Sequence, residues 1–76
     1  GGGAGRRRPG GEGGVSKREL AVLCWTAEGK TAAEIALILK IAERTVHFHI
    51  GNAITKLKVS NKTAAVARAV MLGMLS

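Results

Sequence analysis

Apolar residues recur every three or four positions in four separate stretches of the chain, which is the spacing of amphipathic helices. The first stretch opens with Ser16 and Glu19, the pattern of a capping box, in which each side chain bonds the other's free backbone amide. Gly29 then supplies the residue that helix ends favour. The pattern predicts a first helix over residues 17–28. Cys24 is in phase with its apolar residues, and we expect it to be a small buried residue.

A second and a third helix are predicted directly afterwards. Thr31 and Glu34 repeat the capping box and indicate a short helix over residues 32–39. A turn follows and ends at Ala42, which is a poor N-cap because its side chain accepts no hydrogen bond. The third helix is predicted over residues 43–58. A short helix, a tight turn and a longer basic helix in this order are typical of a helix-turn-helix unit.

The third helix has two distinct faces when its residues are placed at intervals of about 100°. One face is apolar and is predicted to pack in the core: Val46, Ile50, Ala53 and Leu57. The opposite side, termed the outer face, consists of Arg44, Phe48, Gly51 and Thr55. Its margins and the stripe beside it carry His47, Asn52, Thr45, His49 and Lys56. A helix that enters the major groove of DNA needs a central face toward base edges and donors toward a phosphate strand.

The last predicted helix, over residues 61–75, is apolar nearly all round. One helix of a small domain cannot bury every face against its own core, so we expect part of this surface to contact another chain. The residues expected at that contact are Ala65, Val66, Ala69 and Leu72. The alternative is a helix whose many alanines are harmless at the surface. Four helices in succession predict an all-α fold.

Length and composition limit the possible functions. A chain of 76 residues holds one small domain, which buries too little surface for a substrate pocket and a full catalytic shell. We therefore expect a protein that is not an enzyme and that uses no cofactor. The formal net charge of +7 suits a polyanionic partner such as nucleic acid. No apolar run approaches membrane-spanning length, and a single cysteine fits a reducing cytoplasm.

The first 14 residues differ in composition from the rest of the chain, being mostly glycine with one proline and a run of three arginines. Because they lack apolar side chains to offset the entropy of ordering, we expect a disordered tail over residues 1–14 and a domain over residues 15–76. The arginines suit a basic arm on DNA phosphates, although a flexible linker is the simpler interpretation.

Residues 16–75 as a whole resemble the DNA-binding domain of the LuxR-type bacterial transcription regulators. The motifs that carry the resemblance are SKRELAVLCWTAEGKT, EIALIL, TVHFHIGNAITKL and NKTAAVARAV. The pairing of WTAEGKT with TVHFH and the later Asn-Lys resembles the branch that responds to acyl-homoserine lactones more than the phosphorelay response regulators.

The resemblance implies a four-helix helix-turn-helix fold, with the third helix in the major groove of double-stranded DNA. It implies that the fourth helix forms a homodimer on a two-fold symmetric operator, and that the regulator recruits RNA polymerase in the bacterial nucleoid. It also implies a separate N-terminal sensing domain, which these residues do not contain. A small-molecule signal would act only through that domain, and no membrane is expected as a partner.

The resemblance also assigns roles to individual residues. It places His47, Phe48 and Gly51 at positions that face bases, and we expect Arg44 to add to the sequence preference. An equally open alternative for Phe48 is partial burial against the second helix. The positions expected to meet the DNA backbone are Lys30, Thr31, Thr45, His49, Asn52 and Lys56.

Three residues depart from the family's pattern. Lys40 stands where glycine is frequent in the turn, and Ala42 replaces the usual capping serine. These two changes are expected to weaken the turn and the cap by up to about 1 kcal/mol each. Gly51 stands where many members carry a long basic side chain, and it removes a possible base contact.

Two further interpretations compete with DNA reading. His47 and His49 suggest a metal site, but residues two apart lie about 200° apart on a helix and cannot chelate one ion, so we expect no metal. The second hypothesis of function is a dimerisation module that keeps the helix-turn-helix fold and modulates a related regulator without reading DNA sequence. Gly51 and the absent sensing domain motivate it.

Overall fold

The computed structural model describes residues 14–75, and the tail predicted over residues 1–14 lies outside them apart from Gly14. The described residues form four helices joined by short turns and contain no strand, which confirms the predicted all-α fold. The helices are α1 (Lys17–Ala27), α2 (Ala32–Leu39), α3 (Glu43–Leu57) and α4 (Lys62–Met71).

Both predicted capping boxes are present. The Glu19 amide donates to Ser16 Oγ at 3.1 Å, and the Ser16 amide donates to Glu19 Oε1 at 3.0 Å. At the start of α2, the Glu34 amide donates to Thr31 Oγ1 at 3.1 Å and the Thr31 amide to Glu34 Oε1 at 2.8 Å. Gly29 has a φ of 91°, so the left-handed residue predicted to end the first helix is also confirmed.

The turn between α2 and α3 contains the two weak points that the sequence predicts. Lys40 is the left-handed C-cap of α2, with a φ of 59° that glycine adopts more readily. Ala42 is the N-cap of α3 and provides no side-chain hydrogen bond. Only its carbonyl contributes, by accepting from the amides of Thr45 at 3.0 Å and Val46 at 3.2 Å. The start of α3 therefore depends on packing more than on local capping.

The core consists of two hydrophobic clusters, and α3 contributes to both. The first joins α3 to α1 and α4 and contains Val15, Leu23, Ala53, Leu57, Ala65 and Ala69. The second joins α3 to α1 and α2 and contains Val22, Ile35, Ala36, Val46 and Ile50. The predicted apolar face of α3 is thus confirmed, since all four of its residues are buried. Packing on three sides fixes the direction in which the opposite face of α3 points.

Two neighbouring residues of α1 have different surroundings. Trp25 packs against the second cluster. Cys24 was expected to be buried, but it is exposed, and this prediction is wrong. Val22 and Leu23 already fill the two core-facing positions of this turn with no exposed surface, so the next residue is rotated away from the core. Cys24 lies instead in an open groove of about 390 Å³ beside Met74 and Leu75.

The fourth helix is shorter than the predicted span of residues 61–75. Asn61 is its N-cap and accepts from the Ala64 amide at 2.8 Å. The helix ends at Met71, because Gly73 turns the chain with a φ of 77° and the Met74 amide bonds the Ala69 carbonyl at 2.9 Å. Met74 then packs against the first cluster.

The prediction that Ala65 and Ala69 form a dimer contact is corrected. Both alanines have 0% exposed surface because α4 uses this side to pack in the first cluster, so a second chain cannot reach them. The large apolar residues that α4 and its C-cap expose are Val70, Met71 and Leu72. Val66 is half-buried.

Candidate nucleic-acid interface

The outer face of α3 is exposed along its whole length. Arg44, Phe48, Gly51 and Thr55 are all accessible, as the helical phasing predicts. The burial of the opposite side against α1, α2 and α4 leaves this face without a partner inside the described domain. Its exposure is confirmed, and contact with bases stays a prediction.

Phe48 is the most unusual residue of this face. Its side chain is 63% exposed and is not among those packed against the second cluster, which favours an outward-facing ring over the alternative of partial burial against the second helix. The ring centroid of Phe48 lies 5.9 Å from that of His49, with the planes tilted by 60°. The exposed ring is available to another molecule, and apolar contact with thymine methyl groups is one use that it has in a major groove.

The two histidines of α3 have different surroundings. His47 is exposed, and its Nε2 lies 3.7 Å from Glu43 Oε2 one turn earlier. His49 is half-buried. Its Nδ1 is inaccessible to solvent and has no hydrogen-bond partner among the described residues. Only Nε2 of His49 is therefore a candidate donor to a phosphate. His47 retains access to a base edge from the margin of the outer face.

Gly51 lies at the centre of the outer face, and nothing inside the domain accounts for a glycine there. Its backbone is ordinary right-handed helix, since it is absent from the positive-φ residues. A Cβ at this position would meet no atom within 4 Å. A glycine in a helix interior costs roughly 0.5–1 kcal/mol relative to alanine. Gly51 therefore leaves a gap on the exposed side of α3 and weakens the helix without improving its packing.

Lys30 and Thr31, two of the predicted backbone contacts, lie together at the start of α2. Both are exposed, and the Thr31 hydroxyl keeps its proton for donation because its oxygen is the acceptor in the capping box. The Thr31 amide lowers the pKa of the Glu34 carboxyl, and the charge of Lys30 adds to this effect. Thr45 and Asn52, also predicted at the backbone, are half-buried on either side of the outer face.

Lys56 has a role that the sequence analysis did not find. Its Nζ donates to Glu19 Oε1 at 2.8 Å, to Glu19 Oε2 at 3.1 Å and to the Gly14 carbonyl at 3.2 Å. The Glu19 side chain is only 5% exposed, whereas that of Lys56 is 36% exposed. Burial by itself raises the pKa of Glu19, but the bonds from Lys56 and from the Ser16 amide bring the pKa below its ordinary value of 4.5.

This ion pair conflicts with the predicted phosphate contact of Lys56. An ammonium group that bonds a buried carboxylate and a carbonyl has few donors left, and moving it would leave Glu19 buried without its charge partner. The partners are 37 residues apart in the chain, so no local pattern reveals them.

No helix in the described part of the chain is long and apolar enough to cross a membrane. Within residues 14–75, no three side chains of His, Cys, Asp or Glu come together as a group for a metal ion. Beside Arg44 on the outer face, Lys40 before α3 and Lys58 at its C-cap are exposed basic residues.

Three packed helices that hold a fourth with one exposed polar and aromatic face define a helix-turn-helix domain. The family model of the bacterial regulatory proteins, luxR family, matches residues 14–69, and the chain belongs to this family. Family membership confirms the resemblance seen in the sequence and makes the chain a DNA-binding domain of a transcription regulator.

The individual relatives agree with this assignment. The transcriptional activator protein AnoR of Acinetobacter nosocomialis is 57% identical over 61 residues, which are 80% of this chain and 26% of that protein. The quorum sensing-dependent transcriptional regulator RpaR of Rhodopseudomonas palustris is 52% identical over 61 residues, or 80% of this chain and 25% of that protein. This chain thus spans about a quarter of the length of these curated relatives.

A solved structure gives the same result in three dimensions. The crystal structure of Escherichia coli SdiA matches with a TM-score of 0.79 and 49% identity, over 86% of this chain and 27% of that one. The similarity to RpaR, a quorum sensing-dependent regulator, supports the predicted resemblance to the quorum-sensing branch. AnoR and RpaR favour DNA binding over the alternative of a module that does not read DNA, because they are activators and regulators of transcription.

Proposed function

We propose that this domain reads a two-fold symmetric operator as a dimer, with α3 of each copy in the major groove of one half-site. The observation that carries the proposal is the exposure of the complete outer face on a helix whose other side is fixed in the core. A helix of this diameter fits a major groove, and its exposed face then meets the base edges.

Within this arrangement, base edges and phosphates are contacted by different residues. Base contacts come from the outer face and its margin: Arg44, His47, Phe48 and Gly51. Arg44 has the fork of donors that pairs with guanine, and the Phe48 ring suits thymine methyl groups. Phosphate contacts come from Lys30, Thr31, Thr45, His49 and Asn52. Lys56 is left out of this set, because its ammonium group holds Glu19.

The dimer is proposed to form through the exposed end of α4. Met71 is 81% exposed, and Val70 and Leu72 beside it are also exposed. Three consecutive exposed apolar side chains at the end of α4 offer a self-association surface, since burying them removes apolar area from water. Half-buried Val66, one turn earlier, lies at the edge of this surface.

The whole regulator is proposed to be longer than this chain. The relatives to which it is similar include a quorum sensing-dependent regulator about three times its length, since the 61 matched residues are 25% of that protein. We propose an acyl-homoserine lactone as the signal, bound by a separate sensing domain, and recruitment of RNA polymerase at the promoter in the bacterial cytoplasm. The 76 residues supply the DNA-binding step.

The test is selection of duplexes from a random DNA library by the full 76-residue chain, followed by sequencing. Enrichment of an inverted repeat whose half-site centres are about one helical turn apart supports the proposal. Enrichment of unrelated sequences in proportion to their abundance contradicts it. A footprint on the selected duplex then shows whether each half-site is protected in its major groove.

A further inference from the structure

Gly51 is the one helical glycine among the described residues, and its position is unfavourable for the domain by itself. Its backbone is not left-handed, so the helix does not need a glycine there for conformational reasons. No neighbour lies within 4 Å of the place where a Cβ would be, so packing inside the domain does not need one either. Neither the backbone conformation nor the packing of the domain requires a glycine here, so we look for its role in contact with another molecule.

The residues around Gly51 give the gap a definite shape. Phe48 lies one turn before it and Thr55 one turn after it on the same face, and both side chains are exposed. Side chains three and four apart on a helix stand about 5–6 Å from each other at their Cβ atoms. The missing side chain therefore leaves a notch, bounded by an aromatic ring and by the methyl and hydroxyl groups of a threonine.

A major groove about 12 Å wide leaves little room around a helix that is about 10–12 Å across with its side chains. A glycine at the centre of the inward face lets the helix backbone move closer to the base pairs than any larger residue does. The walls of the notch are then the first groups to meet the base edge that enters it.

We propose that the notch at Gly51 accommodates the C5-methyl group of a thymine, with the Phe48 ring against it, and that Gly51 is thereby a steric determinant of operator specificity. The inference rests on the proposed function and names the base feature that this part of the outer face reads. Because Gly51 has no side chain, the notch stays open for the thymine methyl group. A purine or an unmethylated pyrimidine at that position fills the notch less completely and is bound less tightly.

The test compares Gly51→Ala with the wild-type chain on the operator selected by the wild-type protein. Alanine is a better helix former, so the melting temperature is expected to rise by about 2–8 °C. Affinity for the operator is expected to fall about tenfold, the effect of one mismatched base pair, while affinity for scrambled DNA changes by less than about twofold. A more stable domain with weaker specific binding is not the result of a misfolded variant.

Deoxyuridine in place of each operator thymine provides the matched change on the DNA side, because it removes only the methyl group. At one position per half-site, the wild-type chain is expected to lose about fivefold or more in affinity, and Gly51→Ala is expected to be insensitive to the same change. Leu37→Ala, on the exposed side of α2, is the control variant and keeps the wild-type sensitivity.

Three outcomes overturn the inference. Equal or tighter operator binding by Gly51→Ala shows that the gap is unused. Weaker binding with no position sensitive to deoxyuridine shows that no thymine methyl group lies there. If the wild-type chain enriches no sequence from the library, the proposed function fails first, and the notch has no operator to read.

Discussion

Lys56 is a side chain of α3 that stabilises the fold. Its bonds to Glu19 and to the Gly14 carbonyl connect the end of α3 with the start of the domain and with the first capping box. A buried carboxylate with both oxygens bonded is stable only while its partner stays in place. A substitution of Lys56 is therefore expected to change the stability of the domain, and not to remove a contact with DNA.

The first prediction is that Lys56→Met destabilises the domain by about 1–3 kcal/mol at neutral pH, measured by urea unfolding. The pKa of Glu19 is lowered in the folded state, so the pair contributes stability above the unfolded pKa and loses it as pH falls through the folded value. The difference between variant and wild type should shrink below pH 4.5.

Glu19→Gln provides the control for this prediction. Glutamine at the third helical position keeps the capping box but carries no charge to pair. Lys56→Met should therefore lower the free energy of unfolding less in the Glu19→Gln background than in the wild type. Equal costs in both backgrounds would show that the ion pair contributes nothing beyond the packing of the lysine chain.

The second prediction separates a base contact from a phosphate contact. His47→Ala should mainly reduce the ratio of operator affinity to scrambled-DNA affinity, because its side chain lies on the margin of the outer face. Lys30→Ala should weaken binding to both DNAs alike and reduce the salt slope by about 1. Fluorescence anisotropy at several salt concentrations measures both effects, and equal loss of discrimination in the two variants argues against this division.

At the scale of helices, most boundaries could be predicted because the signals are local. The two capping boxes, the glycine after α1 and the apolar period of α3 lie within a few residues of the features that they specify. Cys24 was misplaced because Val22, Leu23 and Cys24 are all apolar, and only the packing of α3 and α4 decides which of them is buried. The extent of α4 was overestimated for a similar reason, since the residues after Gly73 are apolar but pack as a turn.

The third prediction concerns the start of α3. Ala42→Ser adds the missing N-cap acceptor and should stabilise the domain by about 1 kcal/mol, or about 4–8 °C in melting temperature. The residue precedes the outer face, so operator affinity should change little. Ala67→Ser, in the exposed middle of α4, is the matched control and should be neutral or slightly destabilising. A rise in melting temperature for both variants would rule out capping as the cause.

For the molecule as a whole, the sequence predicts only part of which surfaces are buried in the core and which are exposed. The outer face of α3 was predicted residue by residue, because one apolar stripe defines its opposite side. The dimer surface was not, because α4 is apolar nearly all round and burial of Ala65 and Ala69 depends on three-dimensional packing. The Lys56 ion pair escaped prediction because it joins residues 37 apart.

The fourth prediction tests the exposed end of α4. Met71→Asp should weaken binding to the two-fold operator by about tenfold or more while leaving binding to an isolated half-site unchanged, since it adds charge to the proposed dimer contact. Leu37→Asp, at a site of nearly equal exposure on α2, is the control and should behave as wild type on both duplexes. Sedimentation on DNA reports the number of bound chains. Two copies of Met71→Asp bound as tightly as wild type would exclude this surface.

Whether the outer face of α3 reads DNA sequence can be decided by one titration. The full chain is titrated against the selected operator and against a scrambled duplex of the same composition at physiological salt, with fluorescence anisotropy as the readout. We expect a preference for the operator of at least about a hundredfold, and a smaller preference for the Arg44→Ala variant. Equal affinity for the two duplexes, with the domain folded, would contradict it.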